Sequence, residues 1–221
     1  MIGPLVAGVL GLSTAGATQF EAEVGSVLRQ QQAGALVDDL FLFDTSEGIT
    51  AGGRVRLESD DGRVGLEMHG AIDTLLAFDP DARAQRWGGS RFLLGFRGRS
   101  LRTLTATQLR FGVQTFDIRE IAREDHAPWS FAAAGVEVRR YGRDRLQILE
   151  GDFMAHPRAW GGEIRTRYGF GLGGSQAYLA VGGATSRFQS WKDRTLVQVT
   201  YQLEFALIVR PGSDNGLRLQ R

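Results

Sequence analysis

The chain lacks the features on which several large protein classes depend. Its 221 residues include no cysteine, which excludes disulfide frameworks, thiol catalysis and cysteine-based zinc sites. No apolar run approaches the roughly 18 residues that a membrane-spanning helix needs, so the sequence excludes a helical membrane protein. Basic and acidic residues number 26 and 25, and this balance argues against nucleic acid as the main partner.

The N-terminal segment contains no charged side chain. It reads MIGPLVAGVLGLSTAGA, and Ala15, Gly16 and Ala17 fit the small-residue pattern that precedes a signal-peptidase site. We therefore predict a signal peptide over residues 1–17, cleaved after about Ala17, which directs secretion. The alternative is an N-terminal core strand of the folded domain.

Residues 195–209, TLVQVTYQLEFALIV, alternate between apolar and polar side chains. The apolar set is Val197, Val199, Tyr201, Leu203, Phe205, Leu207 and Val209. The polar set is Gln198, Thr200, Gln202 and Glu204. Successive side chains of a strand point to opposite faces, so the segment is one amphipathic strand. Soluble strands average about 5–6 residues and membrane-spanning strands need about 9–11, so its length favours the wall of a membrane barrel.

The same alternation recurs in nine other segments. They lie near residues 19–24, 54–58, 63–78, 92–99, 108–114, 136–139, 145–150, 163–170 and 177–181. We predict an all-β fold over residues 18–210, an up-and-down antiparallel transmembrane β-barrel of about ten strands (roughly 8–12), with a short tail over residues 211–221. The connection 29–52 is too apolar for a free loop, and an extra strand, a short helix or a lumen-capping segment are the alternatives. Its apolar residues are Leu36, Val37, Leu40, Phe41, Leu42 and Phe43.

The connections between the predicted strands alternate in length. Short ones lie near 59–62, 100–102, 141–144 and 170–174, and longer ones near 29–52, 79–90, 117–129, 155–160 and 187–194. In an up-and-down barrel every second connection emerges at the same end, so the long ones share one rim. The tryptophans fall in these long connections, where we predict that they lie at the membrane interface rather than anchor a soluble core. They are Trp87, Trp129, Trp160 and Trp191.

These strands, the loop order and the signal peptide resemble the small Gram-negative outer-membrane β-barrels. The resemblance is architectural and indicates no specific family. It implies outer-membrane lipid, lipopolysaccharide and the barrel-assembly machinery as partners, and it leaves the oligomeric state open. The chain departs from the class at its end, because the assembly-signal-like Tyr201-x-Leu203-x-Phe205 is followed by Pro211, Gly212 and further residues.

If the apolar faces meet lipid, the polar faces line the lumen. The predicted lumen-lining residues are Arg54, Arg56, Glu67, His69, Asp73, Arg97, Arg99, Arg110, Glu137, Arg139, Glu163, Arg165, Arg167 and Glu204. The same reasoning adds Glu21, Glu23, Glu58 and Arg145, and it places Leu146 and Ile148 on the lipid face. Unpaired buried charges are costly, so near-equal numbers of the two signs predict a salt-bridged lumen with at most a thin water path.

Catalytic residues are only weakly indicated. His126 with the neighbouring Asp125 is a candidate general base at a long connection, since a carboxylate orients an imidazole. We interpret His69 as a buried, hydrogen-bonded structural histidine and His156, before Pro157, as a solvated turn residue. The sequence has no nucleophile elbow, no paired-histidine metal spacing and no phosphate loop, so we predict no metal and no cofactor.

Three hypotheses follow from these residues. The leading one is a small outer-membrane barrel that is not an enzyme and has a structural, surface or narrow-channel role. The second is a lipid- or peptide-processing enzyme with its site at the extracellular rim. The third is a secreted lipocalin-like barrel that binds an apolar ligand, in which the apolar faces turn inward and the polar faces meet water.

Overall fold

The computed structural model describes residues 18–33, 42–58, 63–77, 85–100, 103–120, 125–142, 144–172 and 177–209. Within these ranges the chain forms ten strands: β1 (Thr18–Ala33), β2 (Leu42–Glu58), β3 (Val64–Ala77), β4 (Gln85–Ser100), β5 (Thr105–Glu120), β6 (Asp125–Tyr141), β7 (Arg145–His156), β8 (Ala159–Gly171), β9 (Ala177–Ser190) and β10 (Leu196–Val209). No helix of the described residues is long and apolar enough to cross a membrane.

The strands close into one barrel, because each pairs antiparallel with its sequence neighbours and β10 returns to β1. At the closing seam, Ala22 lies opposite Val209 and Ala33 opposite Gln198. Following the paired residues once around the barrel from Phe20 leads back to β1 at Gln32. This stagger tilts the strands relative to the barrel axis. The predicted up-and-down barrel of about ten strands is confirmed.

The strands are long, at 12 to 17 residues. A tilted strand needs about 9–11 residues to cross the hydrocarbon layer, so most of these extend beyond it. Of the apolar connection 29–52, Leu42 and Phe43 begin β2. The other apolar residues of that connection lie outside the described residues, as do the predicted signal peptide and tail.

The connections leave the barrel at two ends. The upper rim carries connections 34–41, 78–84, 121–124, 157–158 and 191–195, and the lower rim carries 59–63, 101–104, 142–144 and 172–176 together with Thr18 and Val209. The connections predicted to be long all leave at one rim, as predicted. The one near 155–160 is a turn of only two residues and the one near 117–129 has four, so the prediction that they are all long is wrong. Polar residues assigned to the long connections instead continue the strands above the apolar surface, as Arg187 and Gln189 do on β9.

The outer surface of the barrel is apolar. On β10, Tyr201, Leu203 and Phe205 are 52%, 43% and 50% exposed, whereas Gln202 and Glu204 between them are buried. Every other strand exposes residues of the same kind, and we call this surface the apolar belt. Its larger members include Phe20, Val24, Leu28, Ile49, Met68, Ile72, Phe92, Phe96, Leu109, Phe111, Val136, Leu149, Phe153, Ile164, Phe170 and Leu179.

This arrangement decides between a membrane barrel and a lipocalin-like one. A soluble ligand-binding barrel needs its apolar side chains inside, but here the buried set is rich in arginine and glutamate and the exposed set in leucine and phenylalanine. Toward the upper rim the exposed positions become polar, with Gln30 on β1 and Arg187 on β9. The lipocalin-like hypothesis is wrong, because water does not stabilise a continuous exposed apolar belt.

The faces of β7 are reversed relative to the prediction. Leu146 and Ile148 are buried in the lumen, and Arg145 is exposed on the outer surface. Glu150 and Asp152 share the inward face with the two apolar residues. The alternation alone misassigned this strand because its lower inward positions are apolar, and the carboxylates further along carried the correct signal.

Candidate functional site in the lumen and at the upper rim

The centre of the lumen holds charges of both signs in equal number. Among the described residues, nine buried arginines face nine buried carboxylates. The arginines are Arg29, Arg54, Arg56, Arg91, Arg97, Arg110, Arg139, Arg165 and Arg167. The carboxylates are Glu21, Glu23, Glu67, Asp117, Glu137, Glu150, Asp152, Glu163 and Glu204. Because charges leave water only when they are paired and hydrogen-bonded, this balance is a condition for the barrel to fold.

Arg54 on β2 is the hub of the network. Its Nη1 donates to Glu67 on the next strand at 2.8 Å and across the lumen to Glu137 on β6 at 2.6 Å. Its Nη2 donates to Glu150 on β7 at 3.2 Å. The Nε lies 3.5 Å from Glu21 on β1. Four strands therefore converge on one guanidinium, whose delocalised charge and planar donors suit several partners at once.

Arg110 on β5 is a second hub. It donates two hydrogen bonds to Asp152, from Nε to Oδ1 at 2.8 Å and from Nη2 to Oδ2 at 2.6 Å. It also contacts Glu137 at 3.0 Å and Glu150 at 3.2 Å. This bidentate interaction fixes the relative orientation of the Arg110 guanidinium and the Asp152 carboxylate in addition to pairing their charges. Since Glu137 and Glu150 bind both hubs, Arg54 and Arg110 belong to one network.

The network continues toward β8 and β10 through alternating charges. Arg167 bridges Glu23 at 2.7 Å and Glu204 at 2.8 Å. Arg165 bridges Glu204 at 3.0 Å and Glu163 at 3.2 Å. Glu204 is shared by Arg165 and Arg167, and Arg91 joins Glu163 to Glu150 at 3.2 Å each, so these charges form one connected network with the two hubs.

Arg29 extends the polar lining toward the upper rim. It donates to Asp73 at 3.0 Å, to the Gly88 carbonyl at 2.5 Å and to Gln202 at 3.2 Å. Arg29, Arg91, Glu150 and Asp152 are lumen residues that the sequence reasoning missed. Arg29 lies within the predicted connection 29–52, and Arg91 lies between the predicted connection 79–90 and the predicted strand 92–99. The alternating position that each shares with neighbouring inward polar residues is the signal that could have found them.

The structure places the predicted lumen-lining residues on the inward face except Arg145, which is exposed on the outer surface, and Glu58, whose side chain lies outside the described part of the chain. Of the inward residues, Asp73 and Arg99 are partly exposed, and the others are buried. His69 is 2% exposed, and neither of its ring nitrogens has a hydrogen-bond partner in the described part of the chain. The hydrogen bond expected for His69 is therefore not found there.

Apolar side chains close part of the lumen at each end. The upper cluster comprises Leu93, Ile118, Phe131, Ala133, Met154, Ala159 and Phe188. Phe131 and Phe188 stack at 4.5 Å between ring centroids, and Phe116 meets Phe188 edge-on at 4.9 Å. The lower cluster comprises Ala106, Leu146, Ile148, Tyr178, Ala180 and Ile208.

A small polar cavity lies between these layers in the described part of the chain. It is bounded by Arg29, Asp73, Arg91, Gln114 and Arg165 and has a volume of about 10 Å³, which is about the space of one water molecule. Side chains fill the interior, as expected of a barrel with few strands. No cluster of three metal-ligating side chains occurs among the described residues.

The four tryptophans all lie at the upper end of the barrel. Trp160 begins β8 on the outer surface, with its ring centroid 5.9 Å from Trp191. Trp129 instead turns inward, packs against the upper cluster and stacks on His156 at 4.6 Å. Arg158 covers the Trp129 ring at 5.6 Å. Trp87 lies near the start of β4, and nothing further is described of its side chain.

We expect Trp191 to stabilise the upper rim through one hydrogen bond. Its Nε1 donates to the His156 carbonyl at 2.8 Å and ties the turn after β9 to the end of β7. Trp191→Phe should lower the free energy of unfolding by about 0.5–1.5 kcal/mol, measured by urea titration. Trp160→Phe is the control and should cost less, so equal losses from the two changes would contradict this role.

The predicted pair Asp125 and His126 begins β6 at the upper rim, opposite Glu120 and Arg119 on β5. Their side chains are outside the described part of the structure, and the geometry of a general base is not shown. His156 accepts a hydrogen bond from the Arg158 amide at 3.2 Å, consistent with a turn residue.

No family model matches this chain, and neither does the sequence of any curated protein. An outer membrane channel from Pseudomonas putida F1 is similar in structure, with 10% identity, 90% of this chain and 97% of that chain covered, and a TM-score of 0.51. Two further matches are the outer membrane protease OmpT from Escherichia coli, with 10% identity, 87% and 95% covered and a TM-score of 0.37, and the Pseudomonas putida toluene transporter TodX, with 8% identity, 92% and 93% covered and a TM-score of 0.35. The chain has the fold of an outer-membrane β-barrel.

Proposed function

We propose that this protein is a small outer-membrane β-barrel with a structural or surface role and a lumen closed to diffusion. The observation that carries the proposal is the lumen itself. Arg54 and Arg110 hold carboxylates from opposite walls together, and a cavity of about 10 Å³ is what remains between Arg29 and Arg165. A narrow-channel role needs a continuous water path, and the ion-paired side chains in the lumen disfavour such a path.

The apolar belt supports the membrane location. Its exposed side chains encircle the barrel, and the charged residues stay inside or at the ends. The first and last described residues, Thr18 and Val209, lie at the lower rim. The two longest connections, 34–41 and 78–84, leave the barrel at the upper rim. Outer-membrane barrels carry their longer loops on the extracellular side, so we assign the upper rim to the cell exterior and the lower rim to the periplasm. Outer-membrane lipid and the barrel-assembly machinery are the proposed partners.

Planar-bilayer recording tests the closed lumen. The purified full chain should insert without producing steady ionic current above the background of protein-free membrane. Large and steady currents would overturn the closed lumen, because the ion-paired lattice leaves no path for hydrated ions. A known open porin, added to the same membrane, verifies that the recording detects a conducting barrel.

Cell fractionation tests the location. The expressed chain should appear in the outer-membrane fraction and should migrate differently on a gel with and without boiling, since a folded barrel resists detergent at room temperature. A protein found in the soluble periplasmic fraction, with the same mobility before and after boiling, contradicts the proposal.

A further inference from the structure

The outer wall of β6–β9 contains a groove that runs up to the edge of the apolar belt. Its volume is about 700 Å³, within the range of about 300–1,000 Å³ that small-molecule sites occupy. The apolar part is lined by Val136, Gly151, Phe153, Gly162 and Ile164. Gly151 and Gly162 form its floor, since an outward position without a side chain leaves a depression between the neighbouring walls.

A cation lies at the upper end of this groove. Along β9 the outward positions change from Leu179 and Val181 to Thr185 and Arg187, so Arg187 stands where the belt ends. Arg187 lies opposite Gly162, the floor of the groove, and is exposed. No carboxylate among the described residues pairs with it. An arginine at this depth costs little, because its head reaches the polar layer.

The surroundings of Arg187 favour an anionic, amphipathic occupant. Trp160, two residues nearer the upper rim than Gly162 on the same strand, lines the same groove, and tryptophan prefers the level of lipid headgroups. The turn after β9 adds the exposed cations Lys192 and Arg194. The carboxylate of that turn, Asp193, accepts hydrogen bonds from Thr195 at 2.7 and 3.1 Å, so it is engaged within the turn.

A second groove on the outer wall provides a comparison for the charge of the groove at Arg187. It has a volume of about 570 Å³ and is lined by Leu28, Ile164, Thr166, Gly183 and Leu203 among others. None of its lining residues is charged. The groove at Arg187 also has Asp152 and Glu163 in its lining, but both carboxylates are buried and bind Arg110 and Arg91 on the lumen side. Both grooves accommodate an acyl chain, but the groove at Arg187 alone of the two joins the apolar floor to a cation at the headgroup level.

We propose that this groove binds a phosphorylated glycolipid of the outer leaflet, with an acyl chain over Gly151 and Gly162 and a phosphate on Arg187. The assignment rests on the proposed outer-membrane location, which places the upper rim in the outer leaflet. A guanidinium binds phosphate through parallel, charge-assisted hydrogen bonds. The protein thereby recognises a particular lipid on its wall rather than a solute in its lumen.

Lipid A titration into phosphatidylcholine nanodiscs that contain the full chain tests this site, with native mass spectrometry counting the lipid A retained by each barrel. Arg187→Gln should weaken retention by about 10–100-fold, as expected when one charged hydrogen-bond donor is lost. The matched control is Arg140→Gln, an exposed arginine of the wall near the lower rim, and it should leave retention unchanged. Lipid A without phosphates should bind the unaltered chain as weakly as lipid A binds the Arg187→Gln variant.

Filling the groove is an independent test of the acyl chain. A Cβ at Gly151 meets no atom within 4 Å, and the same holds for Gly70 on the wall at β3. Gly151→Leu should reduce retention at least as strongly as Arg187→Gln, and Gly70→Leu should not. Equal retention by all four variants overturns the site, as does a loss with Gly151→Leu alone, which indicates an acyl groove without phosphate recognition. Failure of the unaltered chain to insert into the nanodiscs contradicts the proposed location instead.

Discussion

Arg54→Leu is expected to lower the free energy of unfolding by about 3–5 kcal/mol, because removal of one member of a buried ionic network leaves uncompensated charge. The substitution strips hydrogen bonds from Glu67, Glu137 and Glu150 in a single step. Glu137 and Glu150 retain Arg110 as a partner, but the balance of positive and negative charge in the lumen is lost.

Urea titration of the barrel folded in lipid vesicles measures this effect, with the gel-mobility shift on boiling as the readout of the folded state. Arg145→Leu is the matched control, since it removes the same charge from an exposed position near the lower rim. The control should change stability by less than about 0.5 kcal/mol. Equal effects of the two substitutions would mean that Arg54 is solvated and that the lumen is an open aqueous space.

Phe205→Arg is expected to destabilise the barrel by about 2–4 kcal/mol in a bilayer, the cost of an arginine on a lipid-facing position near the midplane. Phe205 is 50% exposed on β10, between the exposed Leu203 and Leu207. Its neighbour across the seam, Ser26 on β1, is exposed as well. The new charge therefore has no carboxylate beside it on this surface.

Gln30→Arg is the control for depth. Gln30 is an exposed position of β1 above the apolar belt, opposite Tyr201, and an arginine near the interface costs only about 0–1 kcal/mol. Both variants are compared with the unaltered chain by urea titration in the same vesicles. If Phe205→Arg and Gln30→Arg have the same stability, the surface around Phe205 meets water, and the membrane assignment fails.

The strand pattern predicted most of the architecture because its period is independent of context. On β10 the alternation from Val199 to Val209 identified the outward face, and the buried Gln202 and Glu204 lie where it places them. The same argument succeeded for Glu67 and Arg54. It failed on β7, where Leu146 and Ile148 are apolar yet inward. The alternation separates the two faces of a strand. It does not identify which face points into the lumen when both faces carry apolar residues.

The loops and tryptophans show a second limit of sequence reasoning. The sequence pattern assigns Arg187 and Gln189 to a connection, yet both continue β9 above the belt. A strand that leaves the membrane keeps its hydrogen-bond ladder and needs no apolar side chain there. Trp129 is of the same type as Trp160 but faces inward, since its parity on β6 follows Phe131. The residue type predicted that the tryptophans lie at the upper rim. Whether each ring faces inward or outward was determined by its position in the alternation of the strand.

By itself the sequence determined that the chain is an amphipathic barrel with charges of both signs on one face, because alternation and charge balance are local or additive properties. Which arginine meets which carboxylate was decided by the closed barrel. Arg54 and Glu137 are far apart in the chain and meet only because the tilted register places β2 and β6 across a narrow lumen. The groove beneath Arg187 likewise exists only because the register sets Gly151 and Gly162 diagonally on adjacent strands, with Gly151 opposite Ile164 and Gly162 opposite Phe153. Such contacts depend on register and curvature, which no local pattern specifies.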